Sequence, residues 1–327
     1  MRLRHFQCLF ALGAVIIGAS IASPHFFTRD NLYDVLRFAS VTGVIAVGMT
    51  MVILTAGIDL SVGSGLALAN VLAAGLLVWG GLPIPAVFAI CLGAGALVGL
   101  VNGLLVTRGR LQPFVATLAI MLVARGIAQW YSHNNPITGL PEAFARLNGA
   151  LGGAPEAANP DASTGGFPVL GLVFIAVVVA AWLLLTKTTF GRNVYAVGGN
   201  EEAARLSGVR VGLVKTAVYV LCGGITALAG LMHTAKINVG HPAEGMGFEL
   251  DAIAAVVLGG TDLMGGRGNV LWTFAGALTL QVITNILLLM NCPPAIARVI
   301  KGAIIVAAIL LGRLIDVLET RFSRARS

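Results

Sequence analysis

ASVTGVIAVGMTMVILTAGIDLSVGSGLALANVLAAGLLVWG, residues 39–80, carries a single charged residue, Asp59. As one helix the stretch would measure about 63 Å at 1.5 Å per residue. The hydrocarbon core of a bilayer is only about 30 Å thick. The stretch must therefore turn, and its turn chemistry is confined to GIDLSVG, residues 57–63. Two spans joined at Asp59 are expected. An unpaired carboxylate at bilayer depth is costly, so Asp59 either ends a helix or serves a function. Asp or Ser at this place is a favoured N-cap for the following helix.

The same reading extends along the chain. Of its 327 residues, 57% are hydrophobic and 11% are charged, and the mean hydropathy is +0.91. Soluble domains carry about a quarter charged residues. Apolar stretches of span length recur near 6–22, 38–56, 62–80, 84–106, 113–130, 167–186, 214–234, 248–262, 270–290 and 295–312. The expected fold is all-α: a polytopic helical membrane protein of about ten transmembrane helices, some broken, forming one domain over 1–327. The stretch 248–262 is short and opens with Glu249 and Asp251, so a broken crossing is expected there. GTDLMGG, 260–266, echoes GIDLSVG, 57–63, and each joins two apolar spans. Transporters are often built from related halves with discontinuous helices at matching places.

The net charge of +7 comes from basic residues scattered in short loops. That pattern follows the positive-inside rule and does not form a nucleic-acid-binding face. With the N-terminus in the cytoplasm, fourteen Lys and Arg fall inside and five outside, and both termini are cytoplasmic. MRLRHFQCLFALGAVIIGASIAS, residues 1–23, imitates a secretory signal and is read as an uncleaved first span. Arg125 and Lys301 lie near span ends and are expected to snorkel to the interface. Four cysteines show no metal spacing.

Two connections are long. Residues 131–166 are rich in Pro, Gly, Ala and Asn and read as an irregular external loop. Residues 187–213 are basic and organised. There Asn200 suits an N-cap, Glu201 and Glu202 a first helical turn, and Gly208 a C-terminal stop. A helix of about two turns between two spans is either a plain connector or a docking element. Gly95, Gly99 and Gly103 share one helix face and suit close helix packing. Asp59, Ser61, Asn70, Asn102, Asp262 and Asn285 are candidates for a polar path or a hinge, although each Asn alone is more often a helix–helix hydrogen bond. No phosphate loop of the form G-x-x-x-x-G-K-[ST], no zinc motif and no catalytic dyad is recognisable.

ILTAGIDLSVGS (53–64), TTFGRNVYAVGGNEEAARLSGV (188–209) and ELDAIAAVVLGGTDLMGGRGNV (249–270), in that order, resemble the membrane permeases of bacterial ABC importers for monosaccharides, the ribose, xylose, arabinose and galactoside branch. Glu202-Ala203-Ala204-x-x-x-Gly208 is similar to the EAA-and-glycine pattern of ABC importer permeases in general. The resemblance implies that Asn200, Glu201, Glu202, Ala203, Ala204 and Gly208 belong to a helix docking on a cytoplasmic ATPase subunit. It implies a periplasmic sugar-binding protein, a second permease subunit and a location in the bacterial inner membrane. It also implies a transport subunit with no cofactor of its own, ATP and Mg residing on the ATPase. The loop 131–166 departs from the family by its length and Ala/Gly content. Another small solute, or an ion-coupled carrier using Asp59 and Asp262, are the alternatives.

Overall fold

The structure, a computed structural model, describes residues 12–21, 23–151, 166–293, 295–304 and 306–307. The helices are α1 (Leu12–Ile21), α2 (Arg29–Leu54), α3 (Val62–Val78), α4 (Ile84–Thr107), α5 (Pro113–Tyr131), α6 (Glu142–Ala145), α7 (Val169–Lys187), α8 (Thr189–Gly199), α9 (Glu201–Leu206), α10 (Val211–Ile237), α11 (Phe248–Leu258), α12 (Val270–Leu289) and α13 (295–304). Among the described residues, six helices are long and apolar enough to cross a membrane: α2, α4, α5, α7, α10 and α12. The expected turn within 39–80 is present: α2 ends at Leu54 and α3 begins at Val62. The first and last expected spans, 6–22 and 295–312, fall partly outside the described residues.

The crossing expected at 248–262 is not made by a helix of full length. At 11 residues, α11 is about 16 Å long, half the hydrocarbon thickness. The other half is the irregular, turn-rich stretch 238–247. It descends along α3, from Gly240 beside Asn70 and Ala74 to Gly245 against Gly63. From there α11 runs to the turn 259–269, which touches the end of α2 and α8: Gly266 N donates to Leu54 O at 2.9 Å and Tyr195 OH donates to Gly268 O at 2.9 Å.

The helix ends sort onto two faces. The end of α2, α8, α9 and the starts of α10 and α12 share one. The start of α2 and the end of α12 share the other, where Asn31 and Asn285 exchange hydrogen bonds of 3.1 and 2.8 Å. Of the connection 131–166 the structure describes 131–151 and 166, and this part is more ordered than its composition suggests. Ala150–Leu151 pairs antiparallel with Phe167–Pro168. Phe144 of α6 is fully buried, its ring 6.4 Å from that of Phe88. Burying one aromatic side chain fixes a stretch that has little turn-to-turn regularity of its own.

The packing of α4 on α10 is the most extensive between any two helices, and its cause is the expected glycine stripe. Gly95 meets Gly223 and Ala227, Gly99 meets the Tyr219 carbonyl, and Gly103 meets Thr216. A Cβ on Gly99 would overlap that carbonyl, which is backbone and cannot swing away. Gly99→Val should lower the thermal midpoint of the detergent-solubilised protein by the equivalent of about 1–3 kcal/mol. Gly93→Ala, where a Cβ meets nothing within 4 Å, should not lower it, since Ala is the better helix former. Equal midpoints for the two variants would refute this account of the α4–α10 contact.

Candidate functional site

The helix α9 is built as its sequence dictates. Asn200 Oδ1 accepts from Ala203 N at 2.9 Å, closing the first turn. Such a cap contributes about 0.5–2 kcal/mol. At the other end Gly208 has φ +84°, Gly208 N donates to Arg205 O and Val209 N to Ala204 O, both at 3.0 Å. This is a Schellman stop, and it requires a residue that tolerates the left-handed region. Ala204 is the buried contact, while Glu201, Glu202, Ala203, Arg205 and Leu206 are exposed. Lys215 Nζ, at the start of α10, donates to Glu201 at 2.6 Å. Arg205 forms a fork on Glu202, 2.6 and 3.2 Å, and this hydrogen bond holds the Glu202 carboxyl below its usual range. Beside α9 opens a cleft of about 520 Å³ whose walls include Phe190, Val209, Arg210 and Leu213.

From α9 the contact chain leads inward through α8. Gly198 lies on the Leu54 carbonyl and on Gly266. One glycine of α8 thus touches the end of α2, just before the Asp59 turn, and the Asp262 turn. In each turn the Asp side chain makes the same local bond: Asp59 Oδ1 accepts from Ser61 N at 2.9 Å and Asp262 Oδ1 from Met264 N at 3.0 Å. The turns also touch each other, Gly265 packing on Ala56.

The expected helix cap at Asp59 or Ser61 takes a different form. Ser61 occupies the cap position of α3 but makes no side-chain cap bond. Asp59, two residues earlier, caps the turn itself. Its Oδ1 also accepts from Ser61 Oγ at 2.6 Å and from Asn102 Nδ2 at 3.3 Å. Asn102 Nδ2 further donates to Ser61 Oγ at 2.8 Å. Tyr219 OH donates to Ile58 O at 3.2 Å, and Leu60 N donates to Thr117 Oγ1 at 3.1 Å. Helices α4, α5 and α10 therefore each pin the Asp59 turn. Asp59, Ser61 and Asn102 are all buried. The structure brings these three candidates together and leaves Asp262 half-buried on the α8–α9 face.

Asn70 and Asn285 stand elsewhere. Asn285 joins α12 to Asn31 of α2, the plain helix–helix bond. Asn70 serves the stretch 238–247. Its Nδ2 donates to Val239 O at 3.1 Å and to Thr234 Oγ1 at 2.8 Å, and its Oδ1 accepts from His241 N at 2.6 Å. The stretch has further partners. Arg125 Nη1 of α5 donates to Pro242 O and to Glu244 O, each at 2.6 Å. His233 Nε2 lies 2.8 Å from Glu244 Oε2. Lys301 Nζ donates to the Asp251 carboxylate at 2.7 Å. Arg125 and Lys301 are thus not lone cations: each reaches a partner distant in sequence. The signal for Arg125 was present in the sequence, a lone cation inside an apolar helix.

Known proteins give an independent view. The model of a family described as branched-chain amino acid transport system / permease component matches residues 31–309. The ribose import permease protein of Escherichia coli strain K12 is 43% identical over 308 residues, which cover 93% of this chain and 92% of that protein. The ribose import permease protein of Bacillus subtilis strain 168 is 43% identical over 314 residues, covering 95% and 92%. The D-allose transport system permease protein of Escherichia coli strain K12 is 35% identical over 312 residues, covering 95% and 92%. The chain belongs to this family of transport-system permeases.

Proposed function

We infer that this chain is the permease subunit of an ATP-driven importer for a monosaccharide, with ribose the first substrate to test. The observation that carries the reading is its likeness, over almost its whole length, to two ribose import permeases. Basic loop residues cluster on the α8–α9 face, among them Arg192, Arg205, Arg210 and Arg267. The positive-inside rule makes this face cytoplasmic, with both termini on that side of the inner membrane.

In this reading α9 docks on a separate ATPase subunit, which holds ATP and its magnesium. A periplasmic binding protein delivers sugar to the opposite face, and a second permease subunit, identical or related, completes the route. The geometry of α9 suits the task. It is capped at both ends, tied to α10 through Lys215, and exposed on its outer side. A push on α9 passes to α8, and from Gly198 to the end of α2 and the 259–269 turn. The Asp59 turn and the α11–α12 turn are then the hinges. Asp59, Ser61 and Asn102 hold the first hinge together, and Asn70 holds the irregular stretch 238–247 beside the route. The chain itself catalyses no reaction.

An ion-coupled carrier is the second reading, and the His233–Glu244 pair is the observation that favours it. Labelled-ribose uptake into cells producing the chain with its partner subunits separates the two. Uptake should survive a protonophore and fall with arsenate; collapse with the protonophore alone would mark an ion-coupled carrier. Within the first reading, Gly208→Pro removes the amide bonded to Arg205 O and forbids the positive φ. It should abolish uptake while leaving the protein in the membrane. Asn200→Ala loses about 1 kcal/mol of helix cap and should reduce sugar-stimulated ATP hydrolysis severalfold. Wild-type coupling in both variants would eliminate α9 as the docking element.

A further inference from the structure

Building on the importer reading, we propose that the outward side of the stretch 238–247 lines the water-filled route of a neutral monosaccharide, and that Arg125 is the positioning residue that fixes this lining. Backbone outside a helix is tolerated at bilayer depth only where protein buries it or where it lines an aqueous cavity. The stretch satisfies both conditions, one on each side.

Its inward side is buried: Gly240, Pro242 and Gly245 pack on α3 and its surroundings. Its amides and carbonyls are met by side chains and by one short bridge. Asn70 takes Val239 O and His241 N. Ile137 and Gly240 exchange backbone bonds of 2.7 and 2.9 Å. Arg125 takes the carbonyls of Pro242 and Glu244. Glu249 Oε1 accepts from Gly247 N at 3.2 Å. One side chain on the outward side, Glu244, does not fit a lipid contact. Ala243 and Met246 are exposed, Met246 to 74%. Between them the Glu244 side chain is 37% exposed and is tied to His233 on one edge only. A carboxylate beside irregular backbone is costly against hydrocarbon. Water removes that cost.

The lining also has the chemistry of a sugar contact. Glu244 and His241 offer hydrogen-bonding groups to hydroxyls, and Met246 offers an apolar surface to the C–H face of the ring. Because Arg125 grips two backbone carbonyls rather than side chains, it sets the position of the lining and touches no sugar itself.

The test uses the complete importer, with its ATPase and binding protein, in proteoliposomes, and ribose as the probe. Ala243→Cys and Met246→Cys are exposed to a charged, membrane-impermeant methanethiosulfonate, with Leu122→Cys on the outer surface of α5 as the lipid-facing control and the parent chain as background. The proposal expects labelling of the first two and not the third, slowed by ribose at least threefold. No labelling with or without ATP, labelling that ribose does not slow, or a Met246→Cys disulfide between two copies would each overturn it. Arg125→Gln should cut ribose carried per ATP at least tenfold with ATP hydrolysis within twofold of the parent, and Arg125→Lys should restore part of it. An unchanged ratio in Arg125→Gln would remove the positioning role. A parent importer that hydrolyses ATP but carries no monosaccharide would defeat the importer reading, and thiol labelling would still report whether water reaches the stretch.

Discussion

A chain that leaves the helix inside a bilayer must find new partners for every amide and carbonyl it frees, because no water is there to take them. This protein leaves the helix twice among buried residues, at 55–61 beside the α8–α9 face and at 238–247. Both breaks are held by side chains of neighbouring helices. Asn102, Tyr219 and Thr117 hold the first; Asn70 and Arg125 hold the second. Removing a partner leaves a buried group unsatisfied, at about 1–3 kcal/mol or more for a charged one. The helices that carry these side chains are thereby fixed in register with the breaks. The arrangement of α3, α4, α5 and α10 follows from this constraint.

A second constraint links the breaks to the surface. Glycine contacts let backbones approach where side chains would hold them apart. The α4–α10 contact keeps Asn102 beside Asp59, and Gly198 places α8 on the end of α2 and on the 259–269 turn. A packed contact without an intervening side chain has little slack, since protein interiors are dense and nearly incompressible. Displacement of α8 therefore cannot be absorbed locally. It must move the two Asp turns together, and the similar Asx bonds of Asp59 and Asp262 give each turn the same local rigidity.

Much of this was legible in the sequence. The expected spans at 62–80, 84–106, 113–130, 167–186 and 270–290 match α3, α4, α5, α7 and α12 within two residues, because hydropathy alone sets those limits. α9 was readable to its cap and its glycine, because capping is local chemistry. α2 begins at Arg29, not near 38: its first turns carry charge that a hydropathy reading rejects, and the cap is Thr28, whose Oγ1 accepts from Asn31 N. The half-crossing at 238–258 was only partly legible. A run of turns has no periodicity to reveal it, and its partners Asn70, Arg125 and Ile137 lie more than a hundred residues away. For the same reason Arg125 and Lys301 looked like snorkelling cations, when their partners are Pro242, Glu244 and Asp251.

The pairing of those groups bears on what a route for a neutral sugar needs. A sugar hydroxyl reaching Glu244 meets a carboxylate already beside His233, and it exchanges one hydrogen bond for another. Such exchanges yield only about 0.5–1.5 kcal/mol net, so a lining of already paired groups holds a sugar weakly. Weak holding is an advantage where a cargo must leave as readily as it enters. A site of unpaired acceptors would bind more tightly and release more slowly. It would also bear the desolvation cost of those acceptors whenever the route was empty. A permease served by a separate binding protein gains nothing from tight binding of its own. On the importer reading, the polar seam along 238–247 would be a surface of low affinity, and selection of the sugar would fall to the binding protein.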